Sequence, residues 1–187
     1  HDNKIECGYI GKWHLDGSDY FGNGICPDGW NPKYWYDMRT YLSELSDEDK
    51  IRSRDSQTSY TEGFSEEFTY AHRCSDRAIA YLNEFKDQDF FLTVSYDEPH
   101  GPSLCPAPFN HMYDGFCFES SPSFQDDLSK KPMLQQLWAG KNLHAPESEI
   151  NKASKGLSLF LGCNSFADYE MGRVLDAISK LAPDAMV

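Results

Sequence analysis

Asp89-Phe90-Phe91-Leu92-Thr93-Val94-Ser95-Tyr96 is the stretch that decides the architecture. A short apolar run bounded by turn residues predicts a strand inside a sheet, covered on both faces. Upstream, Phe68, Ala71, Ser75, Ala78, Leu82 and Phe85 recur at three- and four-residue steps, which predicts an amphipathic helix from Ser65 to Phe85. Ser65 is the N-cap this reading selects, with Glu66 and Glu67 at the positive end of the helix dipole. Lys86-Asp87-Gln88 turns the chain from helix to strand. Downstream, Asp97 to Pro108 is too rich in proline to be a helix or a central strand, and reads as a loop.

Further out, Ile5 to His14 alternates as a strand does: Cys7, Tyr9, Gly11 and Trp13 share one face, and Ile10, Lys12 and His14 the other. Asp16 to Pro32, dense in Gly, Asp and Pro, reads as a long ordered loop, a form shared by functional lids and plain surface excursions. Tyr34, Trp35, Met38, Tyr41, Leu42 and Leu45 give Lys33–Leu45 helical spacing, and the acidic run Ser46–Glu62 reads as a solvated loop. Residues 109–155 are mixed, with a short helix at Met133–Trp138. A second long helix follows over Leu157–Leu181, marked by Phe160, Ala167, Met171, Val174, Leu175 and Ile178. Strand, helix, strand, loop, helix and a last strand start at Ala185-Met186-Val187 imply an α/β fold with a mostly parallel sheet.

The chain has 187 residues, 40% hydrophobic and 25% charged, which suits one domain able to bury a substantial core. Its net charge of −13 argues against a nucleic-acid partner, which demands a basic face. No apolar run approaches the ~20 residues of a membrane helix. The six cysteines form no C-x-x-C pair, so a cysteine zinc site is not expected and free thiols are. A first residue of His and a strand start at the last three residues suggest a segment, 1–187, cut from a longer domain at both ends. Its flanking parts would then be its first partners. Compartment is not readable from these residues.

In open α/β sheets, ligands bind beyond the carboxyl ends of the strands. One strand ends in Lys12-Trp13-His14 and the other in Asp97-Glu98-Pro99-His100-Gly101-Pro102. Two apart in an extended segment, Lys12 and His14 would share a side: a cation to neutralise an anionic ester beside an imidazole to move a proton. His100 lies between two prolines that limit its positions, and rigid placement of a catalytic group is worth more than proximity alone. On pattern alone a Lys-x-His is also a solvated edge, and Pro-His-Gly-Pro also a turn. His72 lies within a helix and reads as structural or exposed. His111 and His144 lie in loops, His111 near enough in sequence to His100 to reach a substrate. Trp30, Tyr34, Trp35 and Tyr36 suit a sugar-stacking surface or, the preferred reading, a small core under the long loop.

Three stretches resemble one family. Gly8-Tyr9-Ile10-Gly11-Lys12-Trp13-His14-Leu15 resembles the G-Y-x-x-G-K-W-H-L signature of the sulfatases, members of the alkaline phosphatase superfamily. Phe91 to Pro102 is similar to that family's strand followed by P-H-x-P. Asp168-Tyr169-Glu170-Met171-Gly172-Arg173-Val174-Leu175-Asp176-Ala177-Ile178 resembles its D-x-E-x-G-R-V-L-D-x-I helix. The three occur in family order and span nearly the whole chain. The resemblance implies part of an alkaline-phosphatase-like sandwich, a mostly parallel sheet with flanking helices.

It also implies a sulfuric ester hydrolase that uses a formylglycine made from Cys or Ser in C/S-x-P-x-R, with a divalent cation, usually calcium. In that scheme the hydrated aldehyde attacks sulfur, and the sulfated intermediate collapses to release sulfate. Lys12 would contact sulfate and the hydrate, His14 would serve as base on the hydrate, and His100 would bind a sulfate oxygen and assist the leaving group. His111 is a further candidate substrate contact. The C/S-x-P-x-R motif is missing: Cys26-Pro27-Asp28-Gly29-Trp30 and Cys105-Pro106-Ala107-Pro108-Phe109 both fail it. The family's metal ligands likewise have no counterpart here, so no metal ligand is assigned in this segment, which is expected to be inactive alone. Asp16 before Gly17 departs from the usual family continuation. The expected substrate is a small sulfated carbohydrate, with neither nucleic acid nor membrane as partner. The alternatives are a phosphonate monoester hydrolase or phosphodiesterase of the same superfamily, or a non-catalytic fragment that binds carbohydrate through the 20–36 loop.

Overall fold

The structure, a computed structural model, describes residues 5–15, 21–116, 126–139 and 147–187, with backbone alone at 147–155. Strand β1 (Glu6–Gly11) pairs in parallel with β2 (Phe90–Ser95), in register from Glu6 opposite Phe90 to Gly11 opposite Ser95. Parallel neighbours need a crossover, and here it contains three helices: α1 (Met38–Ser43), α2 (Asp47–Arg52) and α3 (Tyr70–Phe85). After β2 come a looped segment, α4 (Met133–Ala139) and the long α5 (Glu147–Leu181). The result is the expected α/β fold: a small parallel sheet with flanking helices, consistent with part of an alkaline-phosphatase-like domain.

Helix α3 explains the packing. Cys74, Ala78, Tyr81, Leu82 and Phe85 form one buried stripe at helical spacing, closing over Ile10 of β1 and meeting Val174 and Ala177 of α5. The Tyr81 hydroxyl, deep in this core, donates to the Glu6 carbonyl at 2.8 Å. A second, smaller core of Ala71, Cys105, Leu159, Cys163 and Phe166 lies between the loop after β2 and the middle of α5.

Five local expectations are revised. The helix predicted from Ser65 begins at Tyr70. Thr69 is extended at ψ 152°, and its hydroxyl accepts from the His72 amide at 3.2 Å, whereas Ser65 makes no such cap. Within Lys33–Leu45 only Met38–Ser43 is α-helical, because Tyr36 joins the sheet. The Tyr36 amide donates to Tyr9 and the Gly11 amide to Tyr36, so strand pairing outweighs helical spacing there. The acidic run at 46–62 holds α2, capped by Ser46, with Asp47, Glu48 and Asp49 in its first turn and Lys50 and Arg52 in its last. Finally, β2 is not covered on both faces. Phe91 is 55% exposed, and an apolar cleft of about 760 Å³ runs between Leu92, Val94 and Tyr96 and the α5 residues Val174, Ile178 and Leu181. Ala185–Val187 line that cleft without pairing as a strand.

Candidate active site

The parallel register sets the carboxyl ends of β1 and β2 side by side. Gly11 makes the exit possible. Its φ of 119° lies outside the range of ordinary residues, and a Cβ there would overlap the Ser95 carbonyl oxygen. That carbonyl is engaged by the next residue, since the Lys12 amide donates to it at 2.7 Å. The Lys12 ammonium then crosses to β2's end and pairs with Asp97 Oδ1 at 2.9 Å, the two side chains 23% and 9% exposed. Trp13 turns away, as expected, and packs edge-on against Tyr9 at 4.8 Å, while the Tyr9 hydroxyl donates to the Lys12 carbonyl at 2.6 Å. His14 is exposed at φ 45°. With two residues of positive φ in four, strict alternation ends at Gly11 and does not set the relation of Lys12 to His14.

His100 stands in a tight turn just beyond Asp97. Its amide donates to the Asp97 carbonyl at 2.9 Å, its carbonyl accepts from the Ser103 amide at 3.0 Å, and the Ser103 hydroxyl donates to Pro99 at 3.0 Å. The imidazole Nδ1 lies 3.1 Å from the Gly101 carbonyl. A carbonyl only accepts, so this contact assigns the Nδ1 proton and leaves Nε2 as the proton acceptor of the neutral ring. Asp97 thus links the Lys12 ammonium, through its carboxylate, to the backbone of the turn that carries His100.

Glu98 lies between them in sequence and faces the interior. Its Oε1 accepts from the Ala71 amide in the first turn of α3 at 2.8 Å, while Oε2 has no hydrogen-bond partner among the described residues. Burial pushes its carboxyl up to about 7, opposed by the Ala71 amide and reinforced by Asp97 and Glu170. A small cleft of about 40 Å³, lined by Tyr41, Arg54, Tyr70, Asp97, Glu98 and His100, opens here.

The other candidates sit in different settings. His111 ends a 3-10 turn (Phe109–His111), with Nδ1 2.6 Å from Asp114 Oδ2 and its ring against Tyr60 at 5.2 Å. His72 is buried between helices, the structural of its two readings. Tyr34, Trp35 and Tyr36 are buried as well, the core reading of the aromatic set. Asp16 and His144 lie outside the described residues.

Two acidic partners were not picked out from the sequence, Asp97 for Lys12 and Glu170 for Arg173. The third motif proves to be a clamp. Glu170, fully buried on α5, lies 2.9 Å from His72 Nδ1 on α3 and accepts from Arg173 Nη1 at 2.7 Å; Arg173 Nη2 donates to Asp76 at 2.6 Å. Acidic residues recurring beside a basic one at helical spacing carried that signal. Glu66, His72 and Glu170 offer ligand atoms within 4.8 Å of one another, so the group must be tested against the cation that the resemblance implies. It does not fit. Calcium takes about six to eight oxygen ligands. Here three side chains fall short of that number, and two of them already hold the Arg173 guanidinium, 2.7 Å from Glu170 Oε2 and 2.9 Å from His72 Nδ1.

The family model described as Sulfatase matches residues 1–187. The chain is 41% identical over 180 residues to a protein of Escherichia coli (strain K12) named "Uncharacterized sulfatase YidJ", covering 91% of this chain and 35% of that protein. It is 30% identical over 110 residues to a protein of Formosa agariphila named "Sulfatase", covering 57% of this chain and 22% of that one. The chain therefore spans about a third or less of the length of these relatives.

Proposed function

The chain belongs to the sulfatase family, and from that premise we propose that the whole protein hydrolyses a sulfate ester at the joined carboxyl ends of β1 and β2. The observation that carries the reading is the Lys12–Asp97 pair, which ties the end of one strand to the turn holding His100. In this scheme Lys12 neutralises sulfuryl oxygens and Asp97 holds the ammonium in place. In its doubly protonated form His100 binds a sulfate oxygen through Nε2–H and hands that proton to the departing alcohol, while Nδ1–H stays on the Gly101 carbonyl, and His14 is the base that completes turnover. Whether His111 touches substrate depends on how far the substrate extends beyond the sulfate.

The chain holds no Cys or Ser followed by x-Pro-x-Arg. The formylglycine nucleophile and a divalent cation, which would supply the attacking oxygen and charge neutralisation, are therefore assigned to polypeptide other than these 187 residues. This segment alone is then inactive. A small sulfated carbohydrate is the proposed substrate. A net charge of −13 repels a heavily sulfated polymer at long range. The alternative of a sugar-binding module on the 20–36 loop loses support, because Tyr34, Trp35 and Tyr36 are committed to the core.

The test uses the full-length protein and paired sulfate and phosphate esters of one alcohol. His100→Ala is expected to lower kcat by about 100-fold or more, the contribution of a positioned proton carrier. Its unfolding midpoint should not change, since the ring is exposed. Unchanged turnover would remove His100 from the chemistry, and faster cleavage of the phosphate ester would move the protein to the phosphoesterase branch of the superfamily.

A further inference from the structure

We propose that Cys105 and Cys163 are a redox pair that closes to an intrachain disulfide, fastening the loop that carries His100 to helix α5. The inference does not depend on the hydrolase reading. Both residues are fully buried in the second core, beside Ala71, Leu159 and Phe166. Each sulfur reaches the residue that precedes the other. The Cys163 thiol donates to the Leu104 carbonyl at 3.4 Å, and the Cys105 sulfur lies 3.6 Å from the position a Cβ would take on Gly162. Both sulfurs therefore lie where the loop and the helix touch.

The backbone is arranged for this approach. A side chain on Gly162 would overlap the Phe109 carbonyl, so the glycine lets loop and helix touch. Phe109 packs against Phe166 and Tyr169 with ring centroids 5.4 and 5.6 Å apart, and the Tyr113 hydroxyl bonds Ser165 at 2.9 Å. A disulfide demands closely spaced Cβ atoms and correctly aimed sulfurs, and two thiols that each lie against the residue before the other reach that geometry by small side-chain rotations. The other described cysteines are placed differently. Cys7 and Cys26 direct their thiols at backbone carbonyls, and Cys74 sits in the larger core.

The step balances with a small-molecule disulfide as oxidant. One protein thiolate attacks it, forming a mixed disulfide and releasing one small thiol. The second protein thiolate then displaces the other small thiol and closes the Cys105–Cys163 bond. Two protein thiols lose two protons and two electrons, and one small disulfide becomes two thiols. The neighbouring Cys105 thiol and burial push the Cys163 thiol up and hold it protonated in the folded chain, so exchange takes place while the loop is lifted from α5, during folding or local opening.

The full-length protein is refolded in a glutathione–glutathione disulfide mixture and, separately, in excess dithiothreitol. Each sample is then denatured in alkylating reagent without further reductant. Of the six cysteines within these 187 residues, oxidative refolding is expected to leave four alkylated, with one bridged peptide pair joining Cys105 to Cys163. Cleavage by added protease within residues 97–116 should slow by about tenfold relative to the reduced sample. In Cys163→Ala, Cys105 should be alkylated. Alkylation of both Cys105 and Cys163 after oxidative refolding, or a bridge from either to another cysteine, overturns the proposal. The wild-type peptide map decides the matter even where the variant fails to fold.

Discussion

Glu98 is two residues from His100, yet it belongs to the interior. In the unfolded chain its carboxyl titrates near 4.5, and in the folded chain near 7. Between those values the folded state keeps a proton that the unfolded state has released, so stability falls as pH rises. The contribution is fully present below about pH 4.5 and lost by about pH 7, a span worth about 3 kcal/mol. Glu98→Gln keeps an oxygen for the Ala71 amide and carries no charge. It is expected to match the wild type near pH 4.5 and to exceed it by about 2–3 kcal/mol at pH 8, in urea unfolding across that range. An identical pH slope in both proteins would show that Glu98 is not the group responsible. At this scale the sequence exposed Lys12, His14 and His100, because each stands where a strand ends in polar residues. It could not expose the pairing of Lys12 with Asp97, which exists only because Gly11 lies opposite Ser95 in the parallel register. Nor did it distinguish Glu98, whose inward turn follows from contact with a helix 27 residues away in the chain.

The first turn of α3 is the element on which that contact depends. Thr69 is 1% exposed, and its hydroxyl both accepts from the His72 amide and donates to the Glu66 carbonyl at 2.7 Å. One side chain thus ends the preceding 3-10 turn (Glu66–Phe68) and starts the helix. Thr69→Ala is expected to cost about 1–2 kcal/mol, seen as a lowered midpoint in thermal unfolding, with Thr69→Ser recovering most of it. An unchanged midpoint for Thr69→Ala would mean that the cap is replaceable by water. Because Ala71 follows two residues later and holds Glu98, fraying here reaches the candidate site. Helical periodicity was legible wherever a helix buries one continuous stripe, as α3 does from Cys74 to Phe85. It misled over 33–45, where Tyr36 pairs with the sheet and Tyr34 packs on Tyr81 and Phe85 of α3. It said nothing of α2, a short polar helix with no fully buried residue, held by its cap and end charges.

Across the whole molecule, one ion cluster joins segments nearly a hundred residues apart. Arg173 on α5 binds Glu170 on its own helix and Asp76 on α3, and Glu170 in turn meets His72. The D-x-E-x-G-R stretch was visible in the sequence as a motif. Its purpose was not, since the partner residues lie on a helix that only the fold brings alongside. Glu170 is completely enclosed, so the guanidinium is what makes its charge tolerable there. Removing one partner of such a buried pair costs more than the pair itself is worth, because the survivor keeps its charge without compensation. Arg173→Met is accordingly expected to destabilise the chain by about 3–5 kcal/mol. Circular dichroism and tryptophan fluorescence should report the loss together in urea, since α3 and α5 close the larger core from two sides. Glu170→Gln in the Arg173→Met background removes the stranded charge and should restore more than half of the loss, a coupling that a double-mutant cycle reads directly. If the single substitution costs less than about 1 kcal/mol, the cluster is a surface-type ion pair and α3 and α5 are held by apolar contact alone.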